Sequence, residues 1–152
     1  MIITFCGHSE FKRTSEYEEK ILSFLESTVG GEPADMYLGG YGEFDEFACD
    51  CCSKYKATHP NVRLILVTPY IGTKCGAKHL LWSVGRYDSI LYLGLEDKPL
   101  KFAIIYRNRY MVEKADCIVA FINHKWGGAY TMYRYAKSKG KKIYNLANLD
   151  KP

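Results

Sequence analysis

The sequence predicts an α/β fold: a doubly wound, mostly parallel sheet with helices on both faces, in a single domain over 1–152. Three observations carry this. Short strand-forming runs recur along the chain, with Ile2–Cys6, Val62–Val67 and Cys117–Ile122 apolar enough to be buried on both faces. Segments with helical spacing stand between most of them. Glycines mark places where a strand hands over to a helix. Such alternation favours parallel strands joined by helical crossovers. A chain of 152 residues suits one domain with a real core.

Taken in order, Ile2–Cys6 is the first strand, with Gly7, His8 and Ser9 at its end. Ser15, with Glu18 three residues on, makes a capping-box pattern for a helix. Ile21, Leu22, Phe24 and Leu25 give that helix its apolar face, and Gly30-Gly31 stops it. Asp35–Leu38 is the second strand and leads into Gly39, Gly40, Tyr41 and Gly42. Phe44, Phe47, Ala48, Cys51 and Tyr55 then recur at helical spacing, so the second helix starts near Gly42; His59-Pro60 ends it. Val62–Val67 is the clearest strand, closed by Thr68, Pro69 and Tyr70. Residues 71–87 lack a period; a segment this long is expected to be a functional loop or to hold a short helix. Ser89–Leu93 reads as a further strand and Pro99 opens a helix through Ala115. Cys117–Ile122 is another buried strand, Ala129–Lys139 a helix stopped by Gly140, and Lys142–Leu146 the last strand.

Ligands of parallel sheets bind beyond the carboxyl ends of the strands. That rule gathers four loops on one rim: His8-Ser9, Gly39–Asp45, Thr68–Tyr70 and His124–Tyr130. Two of the four carry glycines that open a helix. Glycine permits positive φ and close approach, and the free N–H groups of a first helical turn attract an anion. The first turn is neither the dinucleotide fingerprint nor a Walker P-loop. Gly39, Gly40, Gly42, Gly127 and Gly128 are therefore expected to cradle phosphate, with Ser9, Pro69 and Ala129 as further candidate ligand contacts. Asp45 has two readings, a ribose or water ligand or a carboxylate complementing the helix dipole; Glu43 shares its turn. Arg107 suits bidentate pairing with phosphate or carboxylate, and an outward, solvated arginine is the alternative. Asn108 can read a base edge. His8 can donate to phosphate or serve as a loop cap. Tyr41, Tyr70, Trp82 and Trp126 are candidates to stack on a base or to be packed away, and Tyr130 is a further candidate ligand contact.

Net charge is +4 with both signs interspersed, which suits an anionic small molecule and makes nucleic acid an unlikely partner. The 13 tyrosines fit stacking or an interface, and with Trp82 and Trp126 they favour a homodimer or higher homo-oligomer, contacted through 71–87. No run approaches a membrane span, and Met1–Cys6 is too short and lacks the basic start of a secretory signal. A reduced, cytoplasmic setting is expected for the six cysteines. Cys49, Cys51 and Cys52 have the wrong spacing for zinc, so buried thiols are expected and neither metal nor cofactor.

Three collinear segments carry a family resemblance. They are Gly39-Gly-Tyr-Gly-Glu-Phe-Asp45 with Ala48; Leu66-Val-Thr-Pro-Tyr70; and Arg107-Asn-Arg-Tyr-Met111 with Ala115-Asp116, running on to Trp126-Gly-Gly-Ala-Tyr130. Together they resemble the SLOG superfamily, shared by DNA-processing protein DprA and the LOG enzymes, and most nearly its YpsA-like branch. The resemblance implies a Rossmann-like fold that binds a nucleotide or nucleotide-derived ligand, such as an ADP-ribose relative, at that rim. It implies a sensor or sequestering protein of bacterial or phage signalling. The alternative is a nucleotide N-glycosidic hydrolase, since Arg107, Met111, Asp116 and Gly127-Gly128 match LOG-like enzymes in order. Those enzymes carry a carboxylate just after Gly-Gly; here the chain reads Ala129-Tyr-Thr-Met-Tyr133, leaving Asp45 and Glu43 as the catalytic candidates. A DprA-like single-strand binder is the third possibility.

Overall fold

A computed structural model describes residues 1–70 and 85–149, so Trp82 and most of the 71–87 segment lie outside the described residues. Six parallel strands form one sheet: β1 (Ile2–Gly7), β2 (Ala34–Leu38), β3 (Val62–Thr68), β4 (Ser89–Tyr92), β5 (Cys117–Phe121) and β6 (Lys142–Asn145). Their spatial order is β4-β3-β2-β1-β5-β6. The described helices are α1 (Ser15–Val29), α2 (Glu43–Thr58), α3 (Leu100–Lys114) and α4 (Gly128–Ser138). Every strand is parallel to its neighbours, where the sequence supported only a mostly parallel sheet.

Strand alternation sorts the helices onto two faces. Ile3 and Phe5 of β1, with Met36, Leu38 and Leu64, pack against Ile21 and Leu25 of α1 and Phe44, Phe47 and Tyr55 of α2. Cys6, Tyr37, Ile65, Val67, Ile118 and Ala120 point the other way, onto Met111 and Val112 of α3 and Met132 and Ala136 of α4. All three cysteines of the 49–52 cluster are buried in the first of these cores. Each large side chain buried here contributes about 1.5–3 kcal/mol. β4 is the exception: it lies at the sheet edge with Ile90 and Tyr92 exposed.

The helix starts differ in detail from the expected ones. Thr14, not Ser15, caps α1, its hydroxyl accepting the Tyr17 N–H at 3.2 Å. Pro99 takes the cap position of α3 rather than its first turn. Gly42 and Gly127 cap α2 and α4 with φ of 89° and 93°, which side chains rarely adopt. Gly7 answers a different demand: a Cβ there would lie 2.2 Å from the Phe44 ring, so its absence lets α2 approach the end of β1.

Candidate functional site

The chain starts at β1, builds outward through β2, β3 and β4, then crosses back to place β5 on the other side of β1. The crevice between the carboxyl ends of β1 and β5 is thus the topological switch point, where ligands of such sheets bind. A cavity of about 340 Å³ opens there, within the size range of small-ligand sites. Its walls are Cys6–Ser9 from β1, Tyr41 and Asp45 from the β2–α2 turn, Arg107, Asn108 and Met111 from α3, and His124 with Trp126–Ala129 from the β5–α4 turn. The two glycine turns, far apart in the chain, share this one cavity.

The two turns are not electrostatic equals. The start of α2 is already filled by the protein. The Glu43 N–H donates to the Ser9 carbonyl at 3.0 Å, the Tyr41 N–H to Asp45 Oδ2 at 3.0 Å, and the Glu43 carboxylate accepts the Phe11 N–H at 3.0 Å. Glu43, Asp45 and Glu46 all sit in that first turn. They repel an anion and complement the dipole themselves. The start of α4 is the reverse. No acidic residue stands in its first turn, no side chain caps it, and the Gly128 and Ala129 N–H groups have no partner among the described residues. A Cβ on Gly128 would meet nothing within 4 Å, and its backbone is not left-handed, so the fold places no demand for glycine there. The open space faces the cavity.

Arg107 is neither outward nor solvated. It is 3% exposed. Its Nη1 donates to the Gly39 carbonyl at 2.9 Å and the Val67 carbonyl at 3.3 Å, so it ties the ends of β2 and β3 to α3. Its Nε donates to Asn108 Oδ1 at 3.0 Å, and its guanidinium lies 5.5 Å from the centre of the Tyr41 ring. Burial pushes the Asp45 carboxyl up to about 6, against the pull of Arg107 and of the Tyr41 N–H. Asp45 thus fulfils the helix-start reading while still facing the cavity.

On the opposite wall three rings stack. His8 lies 3.5 Å from His124, and His124 3.8 Å from Trp126, whose outer face is open to solvent. His8 Nε2 accepts the Asn123 N–H at 3.3 Å, which puts the ring proton on Nδ1. Burial, with His124 alongside, pushes His8 down to about 4, so it is neutral near pH 7. His124 Nδ1 is buried with no hydrogen-bond partner among the described residues. Cys6 beneath donates to the Ala129 carbonyl at 3.1 Å, and burial pushes its thiol up, which disfavours the thiolate.

Several expected residues stand elsewhere. Tyr70 is fully packed away, with its hydroxyl donating to the Lys98 carbonyl; Pro69 is buried, and neither lines the cavity. Gly39, Gly40 and Gly42 shape the turn rather than wall the cavity. Gly39 leaves room for Arg107 and Asp45, each 3.2 Å from its missing Cβ, and Gly42 for Ser9, 2.8 Å from its own. Tyr130 lies on another side of α4, beside Tyr133 and Arg134. Asp116 accepts the Ile2 N–H at 2.8 Å at the far end of the sheet. His124, Cys6, Glu10, Ile104 and Met132 line the cavity without having been singled out. Among the described residues no group of acidic, histidine or cysteine side chains gathers to hold a metal, and no helix is long and apolar enough to cross a membrane.

Fold and cavity together define a Rossmann-like α/β protein with a ligand crevice at its switch point. No known protein family matches the chain by sequence profile. Its fold is similar to that of DNA processing protein A. The Helicobacter pylori structure, described for its single-stranded DNA binding mode, superposes with a TM-score of 0.67 at 16% identity over 99% of this chain and 67% of that one. The Streptococcus pneumoniae structure gives 0.65 at 15% over 96% of this chain, which spans half of that protein. The TM1055 structure gives 0.56 at 14% over 93% of this chain and 71% of that one. In sequence the chain is 24% identical to the uncharacterized SPbeta prophage-derived protein YoqJ of Bacillus subtilis, over 85% of this chain and 86% of that one.

Proposed function

We propose that this protein is a SLOG-type binder of a nucleotide or nucleotide-derived signal, its phosphate held on the first turn of α4. The observation that carries the reading is Gly128: a glycine the fold does not require, at an uncapped helix start, facing the cavity. Trp126 offers an exposed ring face at the mouth, and Asp45 a carboxylate for ribose hydroxyls. The protein senses or sequesters an ADP-ribose-like ligand in the cytoplasm, a reading that rests on the motifs that resemble the YpsA-like branch and fits the likeness to a prophage-derived protein. A homodimer belongs to this reading, supported by the exposed Leu100, Phe102 and Tyr106; light scattering that returns a monomer removes it.

One observation favours a second reading. Asp45, held near 6 beside the cavity, has the proton affinity of a general acid or base, which suits N-glycosidic hydrolysis. The DprA likeness brings single-stranded DNA as a third ligand, but Glu10, Asp45 and the acidic start of α2 surround the crevice and oppose a polyanion. A thermal-shift panel of nucleotides and ADP-ribose, followed by chromatography of the ligand, separates all three. An intact ligand with a raised Tm supports the binder. Released base supports the hydrolase. Indifference to every small anion, with retention of single-stranded DNA, overturns the first reading.

A further inference from the structure

The cavity at the switch point does not end at α4. A second cavity of about 330 Å³ lies between α3 and α4, and Ile104, Asn108, Gly128 and Met132 wall both. Its remaining lining is Lys101, Ile105, Arg109, Thr131 and Tyr135, and most of the surface these present to it is carbon. The missing side chain of Gly128 leaves open space between the two compartments. Asn108 stands where they join. Because Arg107 Nε can only donate, the amide must turn Oδ1 toward it. That leaves Nδ2, with two N–H donors and no hydrogen-bond partner among the described residues, for something else.

We propose that the slot between α3 and α4 holds the heteroaromatic base of the nucleotide whose phosphate sits on the α4 amides. This deepens the preceding reading and rests on it. A flat, largely apolar group suits the carbon walls, and its edge must carry a hydrogen-bond acceptor to meet Asn108 Nδ2. The ligand class is then a nucleoside 5′-phosphate lying across Gly128, with the base between the helices and the ribose and phosphate at the switch point. Sugar hydroxyls, not a further phosphate, face the Asp45 carboxylate.

The test is calorimetric titration of the full chain with ribose 5-phosphate and with adenosine 5′-monophosphate. Native protein is set beside two variants that obstruct only the slot, Ile105→Trp by bulk and Ile105→Glu by charge. Ile105 lines the slot and not the first cavity. The native protein binds the nucleotide roughly tenfold more tightly than the sugar phosphate. In both variants that advantage disappears, while ribose 5-phosphate binding, which reports an intact fold and phosphate site, stays within about twofold. Equal affinities in the native protein, or an advantage that survives both variants, overturns the slot assignment alone. Failure of the native protein to bind ribose 5-phosphate overturns the phosphate reading with it.

Discussion

His8 sits under two constraints, an accepted hydrogen bond from Asn123 and burial beneath His124, and both require it to be neutral. Its folded pKa of about 4 lies below the unfolded value of 6.5, so between these the unfolded chain binds the extra proton. Stability from this residue is full above pH 6.5 and is lost as pH falls toward 4. Asp45 works in the opposite sense: its folded value, near 6, lies above the unfolded 3.8, so stability gains as pH falls across that span. Single-variant curves separate the two. His8→Gln, which can still accept the Asn123 N–H, should show a smaller loss in urea-unfolding free energy between pH 7 and 4 than the native protein. Equal losses would contradict the assignment. Gly128 is the second residue of consequence. Gly128→Ala should leave Tm unchanged or slightly raised, since alanine is the better helix residue, yet weaken ribose 5-phosphate binding at least about tenfold by calorimetry. The sequence makes both turns glycine-rich and hence equal candidates. It does not reveal that Ser9 and Asp45 fill one of them, because those contacts depend on how the β1–α1 loop folds over Gly42.

At the scale of elements, α3 is the part least legible in the sequence. Arg107 stands in the polar run Arg107-Asn-Arg, which leaves an anion partner and a solvated arginine equally open. The available signal was the four-residue spacing of Ala103, Arg107 and Met111, which puts all three on one buried stripe. Arg107 bonds the ends of β2 and β3 from there. Arg107→Met leaves two carbonyls unpaired and Asp45 without its cation. It should cost about 3–5 kcal/mol of unfolding free energy by urea titration, whereas a solvated arginine would cost under about 0.5 kcal/mol. The β1–α2 contact gives a second test. Gly7→Ala drives a methyl into Phe44 and should destabilise by about 1–3 kcal/mol. Gly7→Ala with Phe44→Leu should recover part of that loss, a coupling readable in a double-mutant cycle. Tyr70 eluded the sequence for a related reason. A tyrosine at a strand end is as consistent with stacking on a ligand as with burial, and only the carbonyl of Lys98 decides it.

At the scale of the molecule, strand alternation and helix spacing sufficed for the α/β class and for the rim where loops meet. The strand order needs long-range pairing. β1 lies against β5 although more than a hundred residues separate Ile3 from its partner Cys117, and no local period encodes that. The pairing makes the switch point, brings His8 to His124 and lays the α4 amides beside β1. In the function proposed, α4 and not α2 holds the guest anion. Backbone amide NMR during titration with ribose 5-phosphate tests it most directly. Saturable shifts largest at Gly127, Gly128 and Ala129, with small ones at Gly42–Asp45, are the predicted result. Shifts centred on Glu43–Asp45, or none in either turn at millimolar ligand, would contradict it.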